Sequence, residues 1–189
     1  ERNGGRVGER KARRIYMGTF HSVFIRFLRE FADSIGFPAT FTIYDTGDSV
    51  SAVKACLKQL GLDDKLYKPK EVLARISKAK NDLVTPTPYA NGAGGYRDED
   101  RLHKKPEIYR VYQAYCQLCR QSGVMDFDDI LLYMNILLRG NADALASIAG
   151  RFDAILVDEY QDTNMSQYLI LKKLAGGHRN LCVVGDDSQ

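Results

Sequence analysis

The run Ala154-Ile155-Leu156-Val157-Asp158-Glu159-Tyr160-Gln161-Asp162-Thr163-Asn164 limits the possible folds more than any other stretch of this chain. An apolar segment passes without a spacer into adjacent carboxylates, which predicts a buried strand with acids at its carboxyl end. Such a strand fixes the backbone, its first carboxylate can reach a magnesium ion on phosphates, and the second can orient or deprotonate water. The pattern is of Walker B type, although a buried strand ending at a solvated acidic turn has the same outline. A second apolar run, Leu181-Cys182-Val183-Val184, ends in Gly185-Asp186-Asp187-Ser188-Gln189. Two strands with polar, acidic tips predict neighbours in a parallel sheet, with ligand chemistry at their carboxyl ends.

No Gly-x-x-x-x-Gly-Lys-Ser/Thr phosphate loop occurs in the sequence. The chain begins at Glu1 and stops at Gln189, just past a strand tip, so the expectation is an internal piece of a larger protein, monomeric as a fragment. Its 189 residues, 44% of them hydrophobic, suffice for one domain or two small ones with a real core. No apolar stretch approaches the ~20 residues of a membrane span. Cys56, Cys116, Cys119 and Cys182 fall within helical or strand patterns, which suits a reducing cytoplasm. Cys116 and Cys119 have metal-knuckle spacing without a second pair, and they continue an apolar helix face through Tyr109 and Tyr112.

The net charge of +3 hides an asymmetry. Residues 1–14 hold six Lys/Arg against two acids, and residues 54–80 hold eight against three. Residues 126–189 reverse the balance, with ten acids against five bases. One region suits a polyanion and another a metal ion, while the basic stretch 54–80 equally fits a solvated helical face. Residues 1–14, rich in Gly and Arg, read as a basic flexible lead.

Periodicity predicts a strand at Ile15–Gly18, then a helix carrying Phe20, Phe24, Phe27, Leu28 and Phe31 that stops near Gly36. A short extended piece, Phe41–Tyr44, precedes a capping turn at Asp45–Asp48. Helices are expected over Ser49–Leu60, Pro69–Asn81 and Pro106–Gln121, with a Gly-rich, charged loop at 89–101. Asp126 is placed to cap a helix with Ile130, Leu131, Met134, Leu137 and Leu138 on one face. A short helix at 142–149, the acidic strand, a helix at Met165–Leu174 and the last strand complete the order. Strand, long helical excursion, strand, helix, strand implies an α/β domain with a parallel sheet and right-handed crossovers. The segments are then 15–44 and 123–189 for the sheet domain and 45–122 for an inserted all-helical subdomain.

Four motifs carry a resemblance that covers nearly the whole chain. Gly18-Thr19-Phe20-His21-Ser22, Asp126-Phe127-Asp128-Asp129, Val157-Asp158-Glu159-Tyr160-Gln161-Asp162-Thr163-Asn164 and Val184-Gly185-Asp186-Asp187-Ser188-Gln189 occur in order at fitting distances. Together with Ser77-Lys78-Ala79-Lys80-Asn81, they resemble the UvrD/Rep/PcrA-like group of superfamily 1 DNA helicases. The resemblance implies a P-loop-type, RecA-like domain 1A interrupted by a helical domain 1B, here 45–122. It also implies an ATP-driven motor that moves 3′ to 5′ on single-stranded DNA, acts at single-strand/duplex junctions and meets repair or replication proteins.

By that resemblance, Asp158 would hold Mg2+ through water, Glu159 would be the base that activates the attacking water, and Gln189 would sense the γ-phosphate of ATP. Thr19, Phe20, His21 and Ser22 would face DNA, with hydroxyl and backbone N–H groups on phosphate and an aromatic ring on a base. Phe20 also fits ordinary core packing. Lys78 and Lys80 would touch a phosphate backbone, or lie on a solvated face. Asp126, Asp128 and Asp129 are read as a helix cap with positioning roles. The motor of a helicase–nuclease complex and a non-hydrolysing DNA-binding module of the same fold are the alternatives. The isolated segment is expected to hydrolyse ATP poorly or not at all, for want of a phosphate loop and a second motor half.

Overall fold

The computed structural model describes residues 16–158, 164–176 and 181–183. The first helix, α1 (Phe20–Glu30), starts where Thr19 accepts a hydrogen bond from the Ser22 N–H. It runs into a 3-10 turn at Ala32–Ile35. Strand β1 (Thr42–Ile43) leads to α2 (Thr46–Gln59), α3 (Pro69–Asn81), α4 (Pro86–Ala90), a 3-10 turn at Ala93–Gly95, α5 (Tyr96–Leu102) and α6 (Ile108–Ser122). Then come β2 (Val124–Met125), α7 (Phe127–Gly140), α8 (Ala142–Ala149), β3 (Ile155–Val157), α9 (Met165–Ala175) and β4 (Leu181–Val183). The described chain is therefore mostly helical, with two small parallel sheets.

Two apolar cores share this chain. The first gathers Phe24, Phe27 and Leu28 of α1, Ile130, Met134, Leu137 and Leu138 of α7, and Ile170 and Leu174 of α9. The second gathers Val53 and Leu57 of α2, Val72 and Ile76 of α3, Tyr89, Tyr96, and Tyr112 and Tyr115 of α6. The pair β1–β2 is the seam. Val124 belongs to the second core and the next residue, Met125, to the first, because successive strand side chains point to opposite faces. Thr42 pairs with Val124 and Ile43 with Met125, in parallel. Gly123 (φ 64°) ends α6 in a left-handed conformation and aims the chain into that strand.

The strands β3 and β4 pair in parallel from Ile155↔Leu181 to Val157↔Val183, with α9 as the crossover that a parallel pair requires. Within the first core, a buried amide joins α7 to α9. Asn135 Nδ2 donates to the Ser166 carbonyl (3.1 Å) and Ser166 Oγ (3.0 Å). No helix among the described residues is long and apolar enough to cross a membrane.

Three expectations are corrected. Tyr16–Gly18 forms no strand; Tyr16 instead packs its ring on Phe27 (5.2 Å) and Phe152 (5.3 Å), and Ile15 lies outside the described residues. The expected loop at 89–101 is largely helical. Its glycines punctuate two short helices whose Tyr89 and Tyr96 are buried against each other at 4.9 Å. Helix α2 begins three residues early, at Thr46, because Asp45 and Asp48 form a reciprocal capping box. The two-residue β2 was not anticipated; too short to show a period, it exists through its partner β1.

Candidate nucleic-acid and nucleotide interface

Gly18 stands at φ 144°, and a Cβ there would meet Ser22 Oγ at 2.5 Å. Only glycine lets the chain enter α1 at this angle, so the hydroxyls of Thr19 and Ser22 come together at the helix start. Thr19 Oγ1 accepts from the Ser22 N–H (3.2 Å), and Ser22 Oγ donates to the Thr19 carbonyl (3.0 Å). Both residues are exposed, and the Thr19 hydroxyl proton is not needed by the cap. Phe20 is half-buried and tilts against Phe24 (5.7 Å), so it belongs to the edge of the first core. His21 turns the other way, with its ring 4.9 Å from that of Phe127. Burial pulls the His21 imidazole below its ordinary pKa, against a hydrogen bond with the Phe127 backbone and the charge of Asp128. It is therefore a neutral ring near pH 7.

Phe127 is the residue that periodicity overlooks. Spacing puts it on the apolar stripe of α7, yet it is 55% exposed as the first residue of that helix. A large aromatic flanked by Asp126 and Asp128 at a capped helix start is the signal that could have found it. Asp126 accepts the Asp129 N–H (2.8 Å) and Asp129 accepts the Asp126 N–H (3.0 Å), a capping box that fixes the backbone under Phe127. Beside Phe127 lies a groove of about 300 Å³, walled by Tyr44, Thr46, Lys70, Leu73 and Ser77.

Lys80 is not at this surface. Its side chain is 0% exposed, with Nζ 2.8 Å from both Asp126 and Asp129 and 4.9 Å from the Tyr115 ring centroid. The expected phosphate contact is thus corrected: the ammonium neutralises two buried carboxylates and ties α3 to α7. Desolvation lowers its proton affinity, but Asp129 and Asp126 outweigh that, and the net direction is up. Burial also raises both carboxyls. Asp126, which receives Lys80, the Tyr115 hydroxyl and the Asp129 N–H, is nevertheless held low. Asp129 has less to offset its burial and the neighbouring carboxylate, and is pushed up. Lys78, one position beyond Ser77 on α3, does reach the surface, where it pairs with Asp82 at 3.5 Å. An exposed pair of this spacing is worth about 0.3–0.5 kcal/mol, so it yields readily to a phosphate.

Asp128 points toward the helical subregion. Its Oδ2 accepts from Ser77 Oγ (2.7 Å) and its Oδ1 from Asn81 Nδ2 (3.1 Å). The Asn81 Oδ1 in turn accepts from Asn164 Nδ2 at 3.5 Å. Asn164 caps α9 in a capping box with Gln167 (2.9 and 3.0 Å). At the tip of β3, Val157 is buried and Asp158 exposed. An exposed carboxylate at a strand tip is a hard oxygen donor of the kind that magnesium prefers. Glu159 and Gln189 lie outside the described residues, as does the Tyr160–Thr163 stretch. Among the described residues, no cluster of His, Cys, Asp and Glu is arranged to hold a metal by itself, and Cys116 and Cys119 are free thiols.

Similarity to known proteins gives the chain its family. The family model described as UvrD/REP helicase N-terminal domain matches residues 1–189. ATP-dependent DNA helicase PcrA of Bacillus subtilis is 39% identical over 175 residues, covering 93% of this chain and 23% of that protein. The PcrA of Leuconostoc citreum is 39% identical over 189 residues, covering 100% of the chain and 24% of the relative. That of Staphylococcus epidermidis is 38% identical over 183 residues, covering 97% and 24%. The chain thus spans about a quarter of the length of these relatives.

Proposed function

The chain belongs to the UvrD/REP helicase N-terminal domain family, and on that premise we propose that it is part of the first motor domain of an ATP-dependent DNA helicase. The sheet domain is RecA-like, residues 45–122 form its inserted helical subdomain, and the division of the apolar cores at β1–β2 supports that boundary. The parent protein moves 3′ to 5′ on single-stranded DNA and opens duplex at junctions, in the cytoplasm, among repair or replication proteins.

The observation that carries the reading is the shared surface of two motifs far apart in sequence. The hydroxyl-bearing start of α1 and the exposed Phe127 ring lie side by side across His21. Hydroxyls and N–H groups at a helix start bind a phosphate oxygen, and an exposed ring accepts a stacked base. Thr19 and Ser22 then contact the backbone, Phe127 and His21 offer aromatic faces, Phe20 supports them from the core edge, and Lys78 adds a peripheral cation. Stacking does not depend on base identity, as a translocating motor requires.

On the nucleotide side, Asp158 would hold magnesium through water, and the bound ion supplies charge neutralisation of the phosphates. Glu159 accepts a proton from the attacking water, and Gln189 contacts the γ-phosphate and reports its presence. The phosphoryl group leaves through a loose, metaphosphate-like state, so orienting the water is the main demand on these side chains.

The test is ATP hydrolysis by the full-length parent, with and without single-stranded DNA, beside Glu159→Gln. Strong stimulation by DNA that vanishes in the variant is expected. A folded parent that binds DNA without hydrolysing ATP would refute the motor and favour a non-hydrolysing DNA-binding module.

A further inference from the structure

We propose that one face of α3 positions the Phe127 ring for DNA, with Ser77 and Lys80 as positioning residues that act through the carboxylates on either side of it. The inference rests on the DNA-facing reading above and gives the helical subregion a part in it.

Phe127 has little packing of its own. It is 55% exposed, and its ring meets that of His21 at 4.9 Å. As the first residue of α7 it also stands where helices fray. Its aim is therefore set by the backbone around it, which carries three carboxylates within two positions, Asp126, Asp128 and Asp129. Each of them is held by α3. Lys80 Nζ lies 2.8 Å from both Asp126 and Asp129. Ser77 Oγ donates to Asp128 (2.7 Å), and Asn81 Nδ2 donates to the same carboxylate (3.1 Å). Ser77, Lys80 and Asn81 are spaced i, i+3 and i+4, so they share one face of the helix. From α6, the Tyr115 hydroxyl donates to Asp126 at 2.7 Å.

The same contacts resolve an electrostatic conflict. A ring that meets a polyanion is flanked here by three acids, which by themselves repel phosphate. Asp126 and Asp129 are each 4% exposed, drawn onto the buried ammonium, and their other oxygens accept each other's N–H groups. Asp128 is drawn onto Ser77 and Asn81. The acids thus anchor the backbone of Phe127 and leave the exposed ring to a base, whose stacking needs no charge.

The test measures half-saturation of the full-length parent with fluorescein-labelled oligo-dT by anisotropy, with folding followed by circular dichroism. Ser77→Ala removes the hydroxyl from Asp128, and Ser77→Thr keeps it. Lys80→Met removes the ammonium; should it fail to fold, the Ser77 pair carries the test. Each variant is also made with Phe127→Ala. The expected loss of affinity is about fivefold for Ser77→Ala and about tenfold for Lys80→Met, within the range of interaction between neighbouring residues. Ser77→Thr should stay within about twofold. With Phe127→Ala present, Ser77→Ala and Lys80→Met should change affinity by less than about 1.5-fold, because the ring they position is gone. Equal losses with and without Phe127 would mean direct DNA contact or general destabilisation, and would overturn the proposal. So would unchanged affinity in the folded single variants, or a Ser77→Thr loss as large as that of Ser77→Ala. If Phe127→Ala alone binds as tightly as the parent, the DNA-facing reading falls and the proposal with it.

Discussion

Replacing Lys80 with Met is the sharpest probe of the interior. Methionine keeps most of the aliphatic stem and deletes the ammonium, which lies 2.8 Å from both Asp126 and Asp129 in a site with 0% side-chain exposure. The two carboxylates then face each other with Tyr115 and backbone N–H groups as donors, and no cation. Breaking a buried pair by removing one partner costs about 3–5 kcal/mol, and that is the loss expected at pH 8. Protonation limits it. Burial and Asp126 already push the Asp129 carboxyl up, and loss of the ammonium pushes it further. Lowering the pH to 5.5 favours the neutral Asp129 carboxyl, so the deficit there should be smaller than at pH 8. Urea unfolding followed by circular dichroism at both pH values measures this. A cost below about 1 kcal/mol at pH 8, or one independent of pH, would mean that water or another cation serves the carboxylates and that Lys80 does not hold α3 to α7.

Other outcomes follow from single residues. Phe127→Ala should weaken single-stranded DNA binding by the parent by about 1–3 kcal/mol, read as a shift in half-saturation by fluorescence anisotropy, with little sequence dependence. Thr19→Ala removes the cap of α1 and should cost about 0.5–2 kcal/mol of stability, while Gly18→Ala should cost about 1–3 kcal/mol through its φ of 144° and its clash with Ser22. The His21 imidazole is depressed by burial, so the stability it permits is complete above its unfolded value and falls as pH drops through the folded one. His21→Gln should flatten that acid-side decline in the melting temperature. Asp129, raised by burial, acts in the opposite sense: stability falls as pH rises from its ordinary carboxyl value toward neutrality, and Asp129→Asn should remove that slope.

The helices were legible where local signals agreed. Pro69–Asn81 is found with the boundaries read from its proline and its stripe, and Asp126 caps α7 as expected. Lys80 was not legible, because its partners lie 46 and 49 positions away and a lysine in a basic helix looks solvated in one dimension. The segment 89–101 misled for a related reason: its glycines advertise a loop, while burial of Tyr89 and Tyr96, with Asp100 accepting from the Tyr89 hydroxyl and from Arg75, stabilises helical turns between them. Phe127 was not singled out, because its spacing merely extends the stripe of α7, and only the first-turn geometry turns it outward. Asp158 comes to a strand tip as its apolar lead implies, whereas the roles of Glu159 and Gln189 rest on motif and family.

The energies of the joints decide where motion can occur. Between α3 and α7 stand a fully buried ion triad and the β1–β2 seam, whose Val124 and Met125 commit to opposite cores. Withdrawing Lys80 while the carboxylates stay buried would leave an uncompensated charge, at a cost of about 3–5 kcal/mol, a large part of the stability of a typical domain. One residue beyond Lys80, the Asn81–Asn164 contact is an exposed amide pair worth at most about 0.5–1.5 kcal/mol. A displacement at the start of α9 therefore breaks the weak contact before the latch. Neighbouring residues of α3 thus make joints of unequal strength: Lys80 holds the helical subregion and α7 as one body, and Asn81 makes the weaker contact to the start of α9.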